Sequence, residues 1–175
     1  MKRILVSGVS GVGKTSVGRY LRELGYESTD IENIGGMFKM VHKGTNEVFD
    51  DYDNAKPEHI KNAEWVCDVN RLNLLLESQK SDLSFYTGIA SNMDDIIPFF
   101  DKVFVLKPDS ETLNRRLKNR EGTDDIGNNQ EGRDVVLGWK DWWESEMEKK
   151  NAILVDANGT LEEIGKEILL KVRVK

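Results

Sequence analysis

The sequence has few of the features that define several common classes of protein. Its 175 residues contain one cysteine, Cys67, which excludes an intramolecular disulfide and a cysteine-rich zinc site and favours a buried, apolar thiol. No apolar run approaches the roughly 18 residues that a membrane-spanning helix needs. Only residues 4–6 form an apolar run after the basic start, so we expect no secretory signal and a cytoplasmic protein.

Positive charges are also outnumbered by negative charges. The chain has 25 lysines and arginines against 31 aspartates and glutamates, which gives a formal net charge of −6. Proteins that bind nucleic acids usually present a clustered basic surface. We therefore expect no nucleic-acid partner and no membrane partner, although local basic sites are compatible with a small anionic ligand. The sequence does not predict protein partners.

The length and the mixed composition predict one domain over residues 1–175, because such a chain buries a sizeable core without disulfides. Short apolar segments alternate with helical patterns, which is typical of a parallel sheet with helices on both faces. Helices are predicted over Lys14–Leu24, over Ala63–Glu77 and near the C-terminus. The five predicted strands are Arg3–Ser7, Tyr26–Thr29, Leu83–Thr87, Lys102–Leu106 and Ala152–Val155.

Residues 8–15 carry the strongest functional signal. They match the pattern G-x-x-x-x-G-K-T and lie between a predicted buried strand and a predicted helix, as a phosphate-binding P-loop requires. Glycines let backbone N–H groups turn inward around phosphates, and the helix N-terminus attracts the same anion. A glycine-rich helix cap without a ligand is the structural alternative. The residues predicted to contact the nucleotide here are Gly8, Ser10, Gly11, Val12, Gly13, Lys14, Thr15 and Ser16.

Two of these side chains have specific predicted roles. Lys14 would reach the β- and γ-phosphates of ATP and neutralise charge during transfer, and the Thr15 hydroxyl would ligate Mg²⁺. Ser16 is expected near the α-phosphate. The predicted cofactors are therefore ATP and Mg²⁺.

Beyond the P-loop, the sequence resembles the nucleoside-monophosphate-kinase-like group of P-loop kinases, which includes adenylate, shikimate and gluconate kinases. Residues 25–32 are similar to the segment that places acidic residues on substrate and metal in shikimate-kinase-like members. Residues 85–92 look like the third strand and its glycine turn facing the acceptor, and residues 153–164 resemble the adenine-binding loop and last helix. The resemblance implies an acceptor-side segment at 34–80 and a mobile lid at 116–134.

The resemblance also implies a fold and several site residues. The fold would be an α/β three-layer sandwich of the P-loop NTPase class, with five parallel strands in the order 2-3-1-4-5. Asn158 and Gly159 would contact the adenine. Arg71, Gly88 and Asn92 would contact the acceptor substrate, although a surface salt bridge with Asp68 or Glu77 is the alternative for Arg71.

Asp30 is the predicted acceptor-binding and catalytic carboxylate, because it follows a strand end that should open toward the nucleotide. Its alternative role is that of a turn or helix N-cap residue, which aspartate favours. Glu32 is the reserve candidate for the same role. Either carboxylate is also compatible with a metal-bound water.

Arginines flank the polar segment 121–134. Arg116 and Arg120 lie four residues apart on a predicted helix and can face the same direction. Together with Arg133 they are predicted to stabilise charge on the transferred phosphoryl group, whereas Arg115 is assigned to the surface. The helically spaced group Trp139, Trp142, Trp143 and Met147 is interpreted as core or lid-hinge packing, with base stacking as the alternative.

The sequence thus predicts a small-molecule kinase that moves the γ-phosphate of ATP to a nucleoside, a nucleotide or a small hydroxylated metabolite. The alternative is a nucleotide-binding regulatory module with weak or no kinase activity. Ser28 stands where the related kinases often have an acid, and the third strand ends in Tyr86 and Thr87 without one. Those two departures motivate the alternative.

Overall fold

A five-stranded parallel sheet forms the centre of the computed structural model, which describes residues 1–120, 126–127 and 129–173. A separate antiparallel sheet pairs β3 (Phe38–His42) with β4 (Ala63–Cys67). The central strands, in the spatial order β2-β5-β1-β6-β7, are β1 (Lys2–Ser7), β2 (Glu27–Asp30), β5 (Leu83–Thr87), β6 (Lys102–Lys107) and β7 (Ile153–Asp156).

Helices connect these strands and cover both faces of the central sheet. Short 3₁₀ turns occupy Ile31–Asn33 and Ile97–Phe99. In the part of the chain that the structure describes, no helix has the length and apolar character needed to cross a membrane. The helices are α1 (Lys14–Glu23), α2 (Pro57–Asn62), α3 (Val69–Glu77), α4 (Met93–Ile96), α5 (Ser110–Lys118), α6 (Gln130–Lys149) and α7 (Leu161–Arg173).

Two apolar cores lie on opposite faces of the central sheet because successive strand side chains alternate in direction. On β1, Ile4 and Val6 face a core built with α1, α5 and α7, whereas Leu5 faces a core built with α3 and α4. The predicted α/β architecture with helices on both faces is confirmed. Cys67 is buried in the second core, and burial, with a smaller contribution from Asp68, raises the pKa of its thiol to about 11.

The predicted strand order 2-3-1-4-5 differs from the observed β2-β5-β1-β6-β7. The difference arises because the prediction counted five strands and overlooked β3 and β4, which form their own sheet. Numbered among themselves, the five central strands occupy the predicted relative positions. The helix predicted over Ala63–Glu77 is wrong in its first part, since Ala63–Cys67 pairs with β3 and only Val69–Glu77 is helical.

The predicted lid at 116–134 is described in part. Residues 116–118 end α5 and residues 130–134 begin α6, so both ends of the predicted loop are helical. The Asn129 side chain accepts a hydrogen bond from the Gly132 N–H and caps α6. Residues 121–125 and 128 lie outside the described residues, so the predicted mobility of this segment is not tested.

A buried ion pair lies within α6. The Nζ of Lys140 is 3.0 Å from the Oε1 of Glu144, and both side chains are 3% exposed. Lys107, on β6, approaches the other carboxylate oxygen of Glu144 at 3.8 Å. Since desolvating two charges is costly, such a pair tolerates the loss of one partner poorly.

Replacement of Lys140 by alanine should lower the free energy of unfolding by about 3–5 kcal/mol, because Glu144 would be left buried beside one distant ammonium group. Urea denaturation of native and variant chains measures this effect. Lys166→Ala is the matched control, since Lys166 makes an exposed pair with Glu162 on α7 and should cost less than about 1 kcal/mol. Equal losses in the two variants would contradict the structural role of the buried pair.

Candidate functional site

The connection between β1 and α1 forms a tight loop at the carboxyl end of the central sheet. Gly11 and Gly13 have left-handed backbone angles, with φ of 87° and 107°, which side-chain-bearing residues rarely adopt. A Cβ on Gly11 would lie 2.5 Å from the Cδ2 of Leu117. Gly13 is the N-cap of α1 and has no side chain to accept a hydrogen bond from the helix. The N–H groups of the first helical turn are therefore available to an anion.

Two carboxylates from the turn after β2 approach this loop. The Lys14 Nζ donates a hydrogen bond to the Gly8 carbonyl oxygen at 2.9 Å and lies 3.5 Å from the Glu32 Oε2. The Thr15 hydroxyl donates to the Asp30 Oδ2 at 2.8 Å. Glu32 and Asp30 therefore face the two loop side chains that the sequence assigns to phosphate and metal.

Asp30 also caps the 3₁₀ turn that follows it. Its Oδ1 accepts from the Glu32 N–H at 3.3 Å, and its Oδ2 accepts from the Asn33 Nδ2 at 3.0 Å. The turn-capping role that the sequence left open is therefore present together with the contact to Thr15. Glu32 has fewer structural contacts and becomes the better candidate for an acceptor hydroxyl.

The residues around Thr15 fit a magnesium ion. A hydroxyl and a carboxylate oxygen meet there, and Mg²⁺ in phosphate sites usually takes one or two such protein ligands and completes its shell with water and phosphate oxygens. Within the described residues, no group of three or more acidic, histidine or cysteine side chains is placed to hold a metal without such help. Thr15 and Asp30 would hold the ion.

Two of the predicted arginines contact the phosphate loop. Arg116 donates to the carbonyl oxygens of Val12 at 2.9 Å and Ala157 at 2.8 Å, so it ties the loop to the segment after β7. Burial lowers the pKa of this guanidinium. Arg120 donates to the Ser10 Oγ at 3.0 Å.

Three other predicted site residues form hydrogen bonds with groups outside the phosphate loop. Arg133 bonds the Gly127 carbonyl and the Gln130 side chain near the start of α6. Arg71 donates to the Gly35 carbonyl at 3.1 Å instead of pairing with Asp68 or Glu77 through its guanidinium. Asn92 bonds both the N–H and the carbonyl of Cys67 and so holds β4. These contacts help to hold the backbone around the three side chains, and their catalytic and substrate roles stay predictions.

Gly88 and the predicted adenine-binding residues have close neighbours within the fold. The Gly88 N–H donates to the Val6 carbonyl, and a Cβ on Gly88 would lie 2.7 Å from Ile31. The Asn158 Oδ1 accepts from the Asp109 N–H at 2.9 Å, at a cavity of about 430 Å³. A Cβ on Gly159 would lie 2.7 Å from the Glu163 carboxylate. The adenine role of Asn158 and Gly159 stays a prediction.

A larger cleft of about 1310 Å³ extends from the phosphate loop to β3, β4 and α6. The contribution of β3 and β4 was not predicted, and Met40 and Trp65 from these strands line this cleft. Ala63–Cys67 shows no polar–apolar alternation, and its partner strand is separated from it by about twenty residues. Trp139, Trp142, Trp143 and Met147 lie on α6 and also line the cleft.

Comparisons with known proteins identify the family and the fold of the chain. The sequence matches the AAA domain family over residues 4–136. It has no significant match among curated proteins. A shikimate kinase from Acinetobacter baumannii in complex with shikimate is similar in structure, with a TM-score of 0.63 and 19% identity over 100% of this chain and 96% of that one.

Two further solved structures share the fold. A deoxyadenosine kinase from M. mycoides with bound dATP gives a TM-score of 0.59 at 14% identity and covers 99% of this chain and 100% of that one. A gluconokinase from Sinorhizobium meliloti 1021 gives 0.52 at 20% identity, over 97% and 90% of the two chains. At these identities the similarity establishes the fold and leaves the substrate open.

Replacing Arg116 by lysine should weaken ATP–Mg²⁺ binding about tenfold, because a single ammonium group does not reproduce two charge-assisted bonds in different directions. Isothermal titration calorimetry measures the dissociation constant. Arg115→Lys is the matched control, since Arg115 is an exposed neighbour on α5. Unchanged affinity in both variants would contradict a role for Arg116 in holding the loop.

Proposed function

Since this chain belongs to the AAA domain family and has the fold of the small-molecule P-loop kinases that its sequence resembles, we propose that it transfers the γ-phosphate of ATP to a small acceptor molecule. The acceptor would be a nucleoside, a nucleotide or a small hydroxylated metabolite. One observation carries the proposal: Asp30 and Glu32 face Thr15 and Lys14 at the mouth of α1.

Each group in this arrangement has a role in transfer. The loop amides and Lys14 would bind the terminal phosphates and neutralise the charge that develops on the equatorial oxygens. Arg120, which donates a hydrogen bond to Ser10, would add a guanidinium beside the same phosphates. Thr15 and Asp30 would hold Mg²⁺, which would act as a Lewis acid and withdraw charge from the phosphates.

Glu32 would act on the acceptor. Its carboxylate orients the acceptor hydroxyl and receives its proton as the hydroxyl oxygen forms a bond to the γ-phosphorus. The bond from that phosphorus to the β–γ bridging oxygen breaks, and ADP leaves with the bridging electron pair. The side chain is one-quarter exposed and opens on the cleft, so an acceptor has access to it.

A nucleotide-binding regulatory module is the second candidate. One feature favours it: β5, the neighbour of β1, ends in the buried residues Tyr86 and Thr87 and adds no carboxylate near the loop. Such a module would bind ATP–Mg²⁺ as tightly as a kinase does but would phosphorylate no acceptor. Turnover assays therefore separate the two candidates.

Lys14→Ala should lower kcat by about 10²–10³-fold, because the lysine stabilises charge that develops in the transition state. Its thermal midpoint should stay close to that of the native chain. The assay is coupled ADP release with a panel of acceptors, and Lys166→Ala, on the exposed face of α7, is the control. Equal turnover in Lys14→Ala and the native chain would remove Lys14 from the site.

Two isosteric variants should separate the carboxylates. Glu32→Gln should lower kcat by about 10²-fold or more, as expected for loss of a general base, and leave the Mg²⁺ dependence unchanged. Asp30→Asn should instead raise the Mg²⁺ concentration at half-maximal rate. Titration of the rate against Mg²⁺ in each variant gives both quantities. The opposite pattern would exchange the two roles.

A further inference from the structure

We propose that the acceptor carries a planar aromatic ring and a hydroxyl group and has no anionic group. This inference rests on the proposed function and concerns the part of the cleft beyond the phosphate loop. We call that part the acceptor pocket. It is lined by Met40, Trp65, Ser91, Met93, Trp142 and Trp143.

Trp65 forms a fixed aromatic surface in the acceptor pocket. Its indole stacks on the ring of Phe38, with centroids 5.1 Å apart and an interplanar angle of 15°. Its backbone N–H donates to the Ser91 Oγ at 2.9 Å, and its carbonyl accepts from the Ser91 N–H at 2.7 Å. These bonds attach β4 to the loop after β5. The indole therefore has little freedom to leave the pocket.

A second aromatic surface comes from α6. Trp142 is 64% exposed although it lines the cleft, and the adjacent Trp143 is partly buried. Elsewhere on the same helix, Val136 is buried in the core. The exposed indole of Trp142 is thus not required for packing. Indoles on two walls of one pocket suit a flat ring, which gains from offset stacking.

The charged side chains of the acceptor pocket leave no excess of positive charge for an anionic acceptor. Three carboxylates line this part of the cleft, those of Glu64, Asp94 and Glu146, with the ammonium groups of Lys43 and Lys150. Asp94 forms an ion pair with Lys150, and Glu146 forms one with Lys149, so Glu64 and Lys43 leave one charge of each sign.

Arginine is absent from this part of the cleft among the residues that the structure describes. The two arginines of the cleft, Arg116 and Arg120, bond to the phosphate loop. Guanidinium groups match the planar geometry of phosphate and carboxylate groups and are over-represented in sites that bind them. The pocket lacks that chemistry and instead suits a neutral or cationic ring compound.

The first experiment compares matched acceptors in the ADP-release assay. Neutral nucleosides carry an aromatic ring and hydroxyl groups, and their 5′-monophosphates differ only by an added anionic group. Ribose has the hydroxyl groups without the ring. Hydroxy acids such as shikimate and gluconate are anionic and non-aromatic. The expected result is a kcat/KM for at least one nucleoside that exceeds that of its monophosphate, of ribose and of both acids by tenfold or more.

Two variants test the pocket itself. Trp65→Ala should raise the KM for the preferred acceptor about tenfold, because a stacking surface is lost, with the KM for ATP unchanged. Trp65→Phe should restore the KM to within about threefold, since it keeps a ring. Lys43→Ala should leave the acceptor KM unchanged within about twofold, because no anion needs its charge. Thermal unfolding checks that each variant is folded.

The outcomes distinguish the inference from the function on which it rests. Preference for a monophosphate, a hydroxy acid or ribose would overturn the inference and leave the kinase function standing. An acceptor KM that rises in Lys43→Ala and not in Trp65→Ala would overturn it as well. Binding of ATP–Mg²⁺ without turnover of any acceptor would overturn the proposed function itself.

Discussion

The loop between β1 and α1 constrains the structure around it. It contains left-handed glycines, and one of them, Gly13, is the N-cap of α1 and has no side chain to accept from the N–H groups of the first helical turn. Neighbouring elements then fix the loop from several sides: Arg116 bonds its Val12 carbonyl, Arg120 bonds Ser10, and Asp30 bonds Thr15. An anion at this helix end satisfies the free amides, and the surrounding contacts keep the loop ready to receive it.

Parallel strand pairing explains why residues distant in sequence meet at this loop. The carboxyl ends of parallel strands open on one edge of a sheet. That edge brings together the loop after β1, the turn after β2 and the segment after β7, which Arg116 joins to the first. The separate β3–β4 sheet contributes residues to the wall of the same cleft. Nucleotide and acceptor would therefore occupy adjacent parts of one cavity.

The sequence predicts those elements whose signal is local. β1 and β6 were recognised because each contains a short buried apolar run, and the phosphate loop because its pattern is contiguous. β3 and β4 were missed because they pair with each other across about twenty residues. A pattern within a few neighbouring residues does not predict such pairing. The hydrogen bonds of Asn92 to Cys67 and of Arg71 to Gly35 could not be predicted, because a sequence does not show which backbone groups a side chain meets. The substrate roles of both residues stay predictions. Glu32 could be ranked above Asp30 only after the contacts of both were known.

The central claim is that the amides of residues 8–15 bind the phosphates of a nucleotide. Hydrogen–deuterium exchange of the native chain, with and without ATP–Mg²⁺, tests it most directly, because a bound phosphate protects the amides that contact it. With ATP–Mg²⁺ bound, amide exchange in residues 8–16 should be slower. Adenosine alone should give no such protection. Exchange in this segment that is the same with and without saturating ATP–Mg²⁺ would contradict the account.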